Sequence, residues 1–379
     1  MIINVLNTRF EKVAVVDEFN SLMWCVRFNS VGALDLEIEA TTKNLETFKK
    51  GFYISRNDDT HIFRIEAIEI NTNEDGNNTL LIGALDLISI LNQRVITNNI
   101  SLNQDLKTYI QTLIDNECSG DRSFGYPIEI ETTENTITHR ETTLNYVADE
   151  IFKICKNENL FCNFQFNKNT FKLSISKIKD RSITQTENIK IVFSVENDNL
   201  ISSKYKVDTT KYKNAVFIYK KDDLINGVFV GEAKGIERRE TIIESSDNES
   251  DLIYKGEQAL LDLNITSGFE CEVDYTNYKY KIDYNIGDII TIRNEFGISA
   301  NAQITEIIET WDKEGYSLEP IFEMYEEVTN IDNALLTEDT EAMLTENVEL
   351  LLIEKSPIVN ETETEYIITE NGLLIDSEV

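Results

Sequence analysis

Between Leu34 and Glu39 the chain alternates strictly, with Leu34, Leu36 and Ile38 set against Asp35, Glu37 and Glu39. Successive side chains of an extended strand point to opposite faces, so this period of two buries one face and wets the other. A helix, with 3.6 residues per turn, cannot do so. Residues 62–70 repeat the pattern. The polar break at 71–78 holds Asp75-Gly76, a hairpin-turn signal because glycine tolerates the positive φ such turns need, and residues 80–83 return as strand. Short strands at this spacing predict a first small β-barrel or sandwich over residues 1–96.

The period changes after residue 97. Apolar residues at 106, 109, 110, 113 and 114 predict a helix over 105–116. Leu144, Val147, Ala148, Ile151, Phe152 and Cys155 predict a second over 143–156, with Asp149 and Glu150 toward its start and Lys153 and Lys156 toward its end, as the macrodipole favours. Residues 161–178 then alternate through a hairpin at 167–170. Residues 97–180 thus read as an α+β insertion. Strands resume over 181–327, a second β-barrel with one helix at 250–263 and turns at 285–287 and 295–297. The fold class is therefore mainly β with an α+β insertion: two small β-barrels, an α+β middle domain and an acidic repeat tail.

That tail, residues 328–379, carries LLTED at 335–339, MLTEN at 343–347 and LLIEK at 351–355, eight residues apart, then IITEN at 367–371 after one skipped register. Residues 331–379 hold 13 acids and one Lys, a share of −12 in the chain's −33. Apolar faces this small do not fold alone, so the repeat is expected to pair with copies of itself or with a partner.

Charge and composition narrow the function. With 41% hydrophobic residues the chain can bury real cores. A net charge of −33 with no Lys/Arg cluster argues against nucleic acid and against an anionic membrane surface, both of which attract cations. No apolar run of 18 residues and no leader-type start occurs, so neither a membrane span nor secretion is expected. Cys25, Cys118, Cys155, Cys162 and Cys271 are odd in number and lack metal-type spacing, which predicts reduced, mostly buried thiols.

Candidate chemistry is sparse. Asn71-x-Asn73-x-Asp75-Gly76 opens like a calcium loop, but position twelve is Ile82 where a bidentate Glu is needed. Asp58 and Asp59 beside His61 fall short of a metal set, and with only His61 and His139 in the chain a histidine-based site is not expected. Gly227, Gly231 and Gly235 lie in a strand-like run rather than at a strand-to-helix turn, which argues against phosphate cradling. Tyr275, Tyr278, Tyr280 and Tyr284, interleaved with Lys279 and Lys281, have the composition of a sugar or nucleic-acid platform, yet on alternating strand faces they read as barrel or interface packing. Asp180-Arg181-Ser182 is the sharpest candidate. An Arg between an acid and a hydroxyl can serve catalysis, but its five donors more often tie loop carbonyls and carboxylates together, and Asp180, Arg181 and Ser182 are read as a structural clamp. No cofactor is expected, and no catalytic or metal-binding residue is assigned.

One stretch carries a resemblance. DRSITQTENIKIVFSVENDNLISSKYKVDTTKYKNAVFIYK, residues 180–220, resembles the central tail hub, or tail-tip, proteins of long-tailed bacteriophages, whose N-terminal region is shared with tail-associated lysins. Residues 15–40 are similar to that family's opening barrel and residues 283–309 to its closing one, so the resemblance spans roughly residues 1–325. It implies a non-enzymatic structural protein made in the host bacterial cytoplasm and residing at the virion tail tip. It implies a homotrimer whose six barrels form a ring, closing a hexameric tail tube. Partners would be a distal tail or tail-tube protein and a distal tip or receptor-binding component, with no membrane and no sequence-specific nucleic acid. An acidic lumen would let DNA pass without sticking. After residue 330 only the acidic tail follows, in place of the lysins' peptidase or glycosidase domain, so any cell-wall activity is expected from another protein. Two other readings stand beside this one: a cell-wall glycan-binding adhesin module gripping sugar with exposed aromatics, and a hydrolase using Asp/Glu pairs.

Overall fold

The computed structural model describes residues 1–324 apart from 73–77, 98–100, 135–136, 142–144, 221–222, 246–251, 254–255, 258, 261–262, 264–265 and 275–276, together with 366–368 and 374–376. The chain divides into two compact units, Met1–Val328 and Thr329–Val379.

Seven strands form the start of the first unit: β1 (Ile3–Leu6), β2 (Lys12–Val16), β3 (Ser21–Arg27), β4 (Ala33–Glu39), β5 (Tyr53–Arg56), β6 (Ile62–Thr72) and β7 (Asn78–Asp86). On β4 the alternation behaves as the sequence predicts, with Leu34, Leu36 and Ile38 buried and the acids between them turned outward. β6 and β7 pair antiparallel out to Thr72↔Asn78; the predicted Asp75-Gly76 turn lies outside the described residues. A short helix α1 (Thr42–Thr47), which the sequence reading did not anticipate, starts where the Thr41 hydroxyl accepts the Asn44 N–H.

The middle segment holds β8 (Ser101–Asp105), α2 (Leu106–Glu117), β9 (Ile128–Thr132), β10 (Ile137–Glu141), α3 (Val147–Asn157), β11 (Leu160–Asn167) and β12 (Thr170–Lys177). Both predicted helices form. Asp105 caps α2 by accepting the Thr108 N–H at 3.0 Å, and α3 buries Val147, Ala148, Ile151, Phe152 and Cys155. The hairpin between β11 and β12 turns on Lys168 and Asn169, both at positive φ, the geometry that matches the twist of the flanking strands. α2 and α3 cover one face of the β11–β12–β9 sheet, packing on Cys162, Phe164, Leu173 and Ile175. Tyr53, Ile62 and Leu87–Leu91 of the preceding segment enter the same core.

The last segment adds β13 (Val192–Ser194), β14 (Leu200–Asp208), β15 (Ala215–Lys220), β16 (Asp223–Val230), β17 (Glu240–Ser245), β18 (Thr266–Val273), β19 (Ile289–Arg293), β20 (Ser299–Trp311) and β21 (Tyr316–Met324). Residues 252–253, 256–257 and 259–260 are helical, within the predicted helix. β15, β16 and β17 make a small sheet over a core of Val216, Ile218 and Leu252.

The mainly β fold with α+β parts agrees with the sequence, but the strand pairing does not trace two separately closed barrels among the described residues. Strands from both ends of the first unit run through one 13-stranded sheet in the order β14-β18-β21-β20-β3-β4-β7-β6-β5-β1-β2, with β19 on β20 and β13 on β19. The reason is β20. Its first residues, 299–303, pair with β19, and after a register shift between Ile304 and Glu306 its residues 306–311 pair with β3, while β21 lines its other edge. A single bulged strand thereby serves both halves, and their apolar faces merge into one core containing Trp24, Leu34, Phe63, Phe193, Tyr284, Ile290 and Ile307.

In the second unit β22 (Tyr366–Ile368) pairs antiparallel with β23 (Leu374–Asp376). The octad repeats at 335–355 lie outside the described residues.

Candidate functional site: a cleft where three segments meet

The cleft begins at the end of β5. Arg56 has a fully buried side chain, and its guanidinium lies 4.8 Å from the Trp24 ring and 5.0 Å from the Trp311 ring, the chain's two tryptophans. It is ion-paired with Glu309 of β20, and with Asp59 and Asp58 at 3.3 Å each. Lys281, arriving from the turn that precedes β19, reaches Asp59 at 2.7 Å and the Asp58 carbonyl at 3.2 Å. The Tyr316 hydroxyl donates to Glu309 at 3.1 Å. Desolvation of so many charges is costly, and it is offset only because every carboxylate has a cation or a donor within reach. Two Arg56 nitrogens, Nε and Nη1, nevertheless make no hydrogen bond among the described residues.

His61 follows on the same turn, its Nδ1 2.7 Å from Asp59 Oδ1. Burial disfavours the imidazolium, but the Asp59 hydrogen bond and the nearby charges of Asp86 and Asp59 prevail and raise its pKa. Burial likewise opposes ionisation of Asp59, yet His61 and Lys281 hold its carboxyl well below the usual range. Asp86 goes the other way, pushed up by burial. Burial with the charges of Asp59 and Glu309 also raises Tyr280 well above its ordinary pKa.

Arg181 stands on the far wall. Its Nε donates to Asp288 Oδ2 at 2.8 Å, its main-chain N–H to the Ile289 carbonyl at 2.7 Å, and its carbonyl accepts the Ile191 N–H at 2.8 Å. Asp288 Oδ2 also accepts the Asn285 N–H at 3.0 Å. Asp180 Oδ1 accepts the Ser182 N–H at 2.8 Å, and the fully buried Ser182 hydroxyl meets Thr184 Oγ1 at 2.7 Å. This network fastens residues 180–191 to β19.

The third wall is the middle sheet, anchored by Asn29, which adopts the left-handed conformation (φ 43°). Asn29 donates to the Leu160 carbonyl at 2.7 Å and accepts the Cys162 N–H at 3.1 Å. Between these walls lies a cavity of about 510 Å³, bordered by Asp58, His61, Asn163, Ser176, Arg181 and Tyr280, among others. Gly287, between the lining residues Ile286 and Asp288, sits at φ +86°, and a Cβ there would come within 2.7 Å of the Phe28 ring.

The structure therefore gathers Asp58, Asp59, His61, Arg181, Tyr280 and Lys281, which the sequence reading had weighed separately. Tyr278, Tyr280 and Tyr284 sit in a compact turn rather than on the alternating strand faces expected of them, and Tyr284 is buried in the main core; Tyr275 lies outside the described residues. The His139 side chain and Asn73 to Asp75 also lie outside. Gly231 is required by geometry: at φ +109°, a Cβ would fall 2.2 Å from the Asn214 carbonyl oxygen. All five cysteines are buried thiols, and among the described residues no cluster of His, Cys, Asp and Glu could hold a metal ion. The sequence reading missed Arg56, Glu309 and Asn29. Their partners lie up to 253 residues away, and the pairing of the two tryptophans around one Arg leaves no local signal.

The family model described as Siphovirus ReqiPepy6 Gp37-like protein matches residues 2–322. The chain belongs to this family. Its fold is also that of solved phage tail proteins. A tail protein from Neisseria meningitidis MC58 superposes with a TM-score of 0.59 at 11% identity, covering 85% of this chain and 96% of that one. The 43 kDa tail protein of prophage MuSo2 from Shewanella oneidensis gives 0.57 at 11%, over 86% and 98%. Prophage tail protein gp18 from Listeria monocytogenes EGD-e gives 0.53 at 12%, over 87% and 95%. No curated protein sequence matches. The resemblance to tail proteins of long-tailed phages thus holds for family and fold.

Proposed function

We propose that the chain is a structural hub of a phage tail tip, three copies of which form a ring that closes the tail tube and links it to distal components. The observation that carries this reading is the likeness of fold over nearly the whole of each phage tail protein compared. The single sheet spanning both halves supports it, since a ring element must transmit load without a flexible joint. In this role Asp180, Arg181 and Ser182 act as a clamp holding the 180–191 loop on β19, and the acidic tail serves as a docking strip for neighbouring chains. The chemistry of the cleft, whose charges are largely spent on one another, fits a non-enzymatic part.

Light scattering at micromolar concentration, alone and with the tail-tube or distal tail protein added, tests the ring. The expected result is three copies of this chain against six of the tube protein. A stable dimer in the assembled particle overturns the ring.

A further inference from the structure

The middle sheet turns away from its helices a face that is polar but almost uncharged where it meets the cleft. Asn163 and Ser174 are cross-strand neighbours there, as are Phe161 and Ser176. In a chain with 27% charged residues, a solvated strand face would carry Lys and Glu. Asn163 Oδ1 is buried and makes no hydrogen bond among the described residues, although its Nδ2 lies 3.4 Å from Thr60 Oγ1. A buried acceptor left open costs stability unless something supplies a donor.

The opposite wall offers the complementary charge. Arg181 spends Nε on Asp288, and its side chain is only 12% exposed, yet its two terminal nitrogens make no hydrogen bond among the described residues. A guanidinium fork held from behind and open in front suits bidentate capture of a carboxylate or phosphate. Lys179, exposed and with no ion pair or hydrogen bond at its ammonium among the described residues, and Lys177, 3.4 Å from Glu134, border the same cavity. Of the carboxylates there, Asp59 is held by Lys281 and His61, Asp288 by Arg181, and Asp58 by Arg56. The cleft is thus a cation-rimmed spot in a protein of charge −33, and its volume of about 510 Å³ is that of a small-molecule site.

We propose that this cleft binds an anionic polyol, a hydroxyl-rich saccharide or polyol chain bearing carboxylate or phosphate groups. The anion sits on the Arg181 fork beside Lys179, and hydroxyls bond to Asn163, Ser174 and Ser176, with Phe161 and Tyr280 supplying apolar surface. An acidic peptide would bring the anion without the hydroxyls. The inference stands apart from the ring, since either can fail alone.

Calorimetric titration of the full chain tests it with four probes: trigalacturonate for the carboxylate source, glycerol 3-phosphate for the phosphate source, neutral maltotriose, and hexaglutamate. At least one anionic polyol is expected to bind with one-to-one stoichiometry, about tenfold or more tighter than maltotriose or hexaglutamate, and the tighter of the two names the anion. Lys179→Glu, an exposed change that leaves the clamp intact, is expected to weaken that binding about tenfold with an unchanged melting temperature. Ser176→Trp, which fills the cleft from an exposed position, abolishes it. Absence of binding to both anionic polyols at millimolar concentration, equal or tighter binding of hexaglutamate or maltotriose, or indifference to Lys179→Glu overturns the proposal.

Discussion

Arg56 shows how much a single side chain holds together. It is stacked between Trp24 and Trp311 and joins β5 to Glu309 of β20, so its removal takes the ion-pair partner from buried Glu309 and one of the cations from Asp59, which Lys281 still reaches. Arg56→Ala is expected to cost about 3–5 kcal/mol, the range for breaking one partner out of a buried ion pair, read from the urea midpoint. Arg56→Lys is expected to recover little, because an ammonium lacks the planar fork and the stacking faces. Arg181→Ala leaves Asp288 short of a donor and is expected to cost roughly 1–3 kcal/mol; a variant that melts like the parent refutes the clamp. His61 sets a pH signature. Its raised pKa means the folded state binds its proton more tightly, so that stability is fully present below the unfolded value near 6.5 and is lost as pH rises through the folded one. The raised Asp86 acts in the same direction, while the depressed Asp59 stabilises above about 3.8 and loses this as pH falls. The melting temperature is therefore expected to fall as pH rises above 6.5, and to fall less in His61→Gln; an unchanged slope in that variant removes His61 as the source.

At the scale of elements, β20 decides whether the first unit is one body or two. Ile307, fully buried, stands just past its register shift, where the strand passes from β19 to β3. Ile307→Ala is expected to cost about 2–5 kcal/mol and to lower protection of both β3 and β19 in hydrogen exchange, whereas independent halves would lose protection around β3 alone. The elements most legible in the sequence were those stabilised locally: α2 with its Asp105 cap, α3 with its apolar stripe, and the β11–β12 hairpin with its two left-handed turn residues. The α1 helix was missed because six residues with none buried leave no apolar period to read. Asn29 was missed because its hydrogen bonds reach 131 and 133 residues along the chain.

At the scale of the molecule, the acidic tail forms a unit separate from residues 1–328. A chain ending at Glu327 is expected to keep its circular dichroism spectrum and its melting temperature, since segments with small apolar faces and high charge contribute no core. In tail assembly it is expected to lose the next distal component; unfolding on truncation would place the tail within the core instead. By itself the sequence determined the mainly β class, the α+β middle and the buried thiols, because period, turn chemistry and composition act over a few residues and survive in any context; the family came from the resemblance carried by residues 180–220. Only the tertiary structure decided that both β segments share one sheet through β20, that Arg56 lies between the two tryptophans, and that Arg181 faces Asn163 across a cleft. Those are contacts between residues far apart in the chain, and their energies exist only once loop closure has brought the residues together.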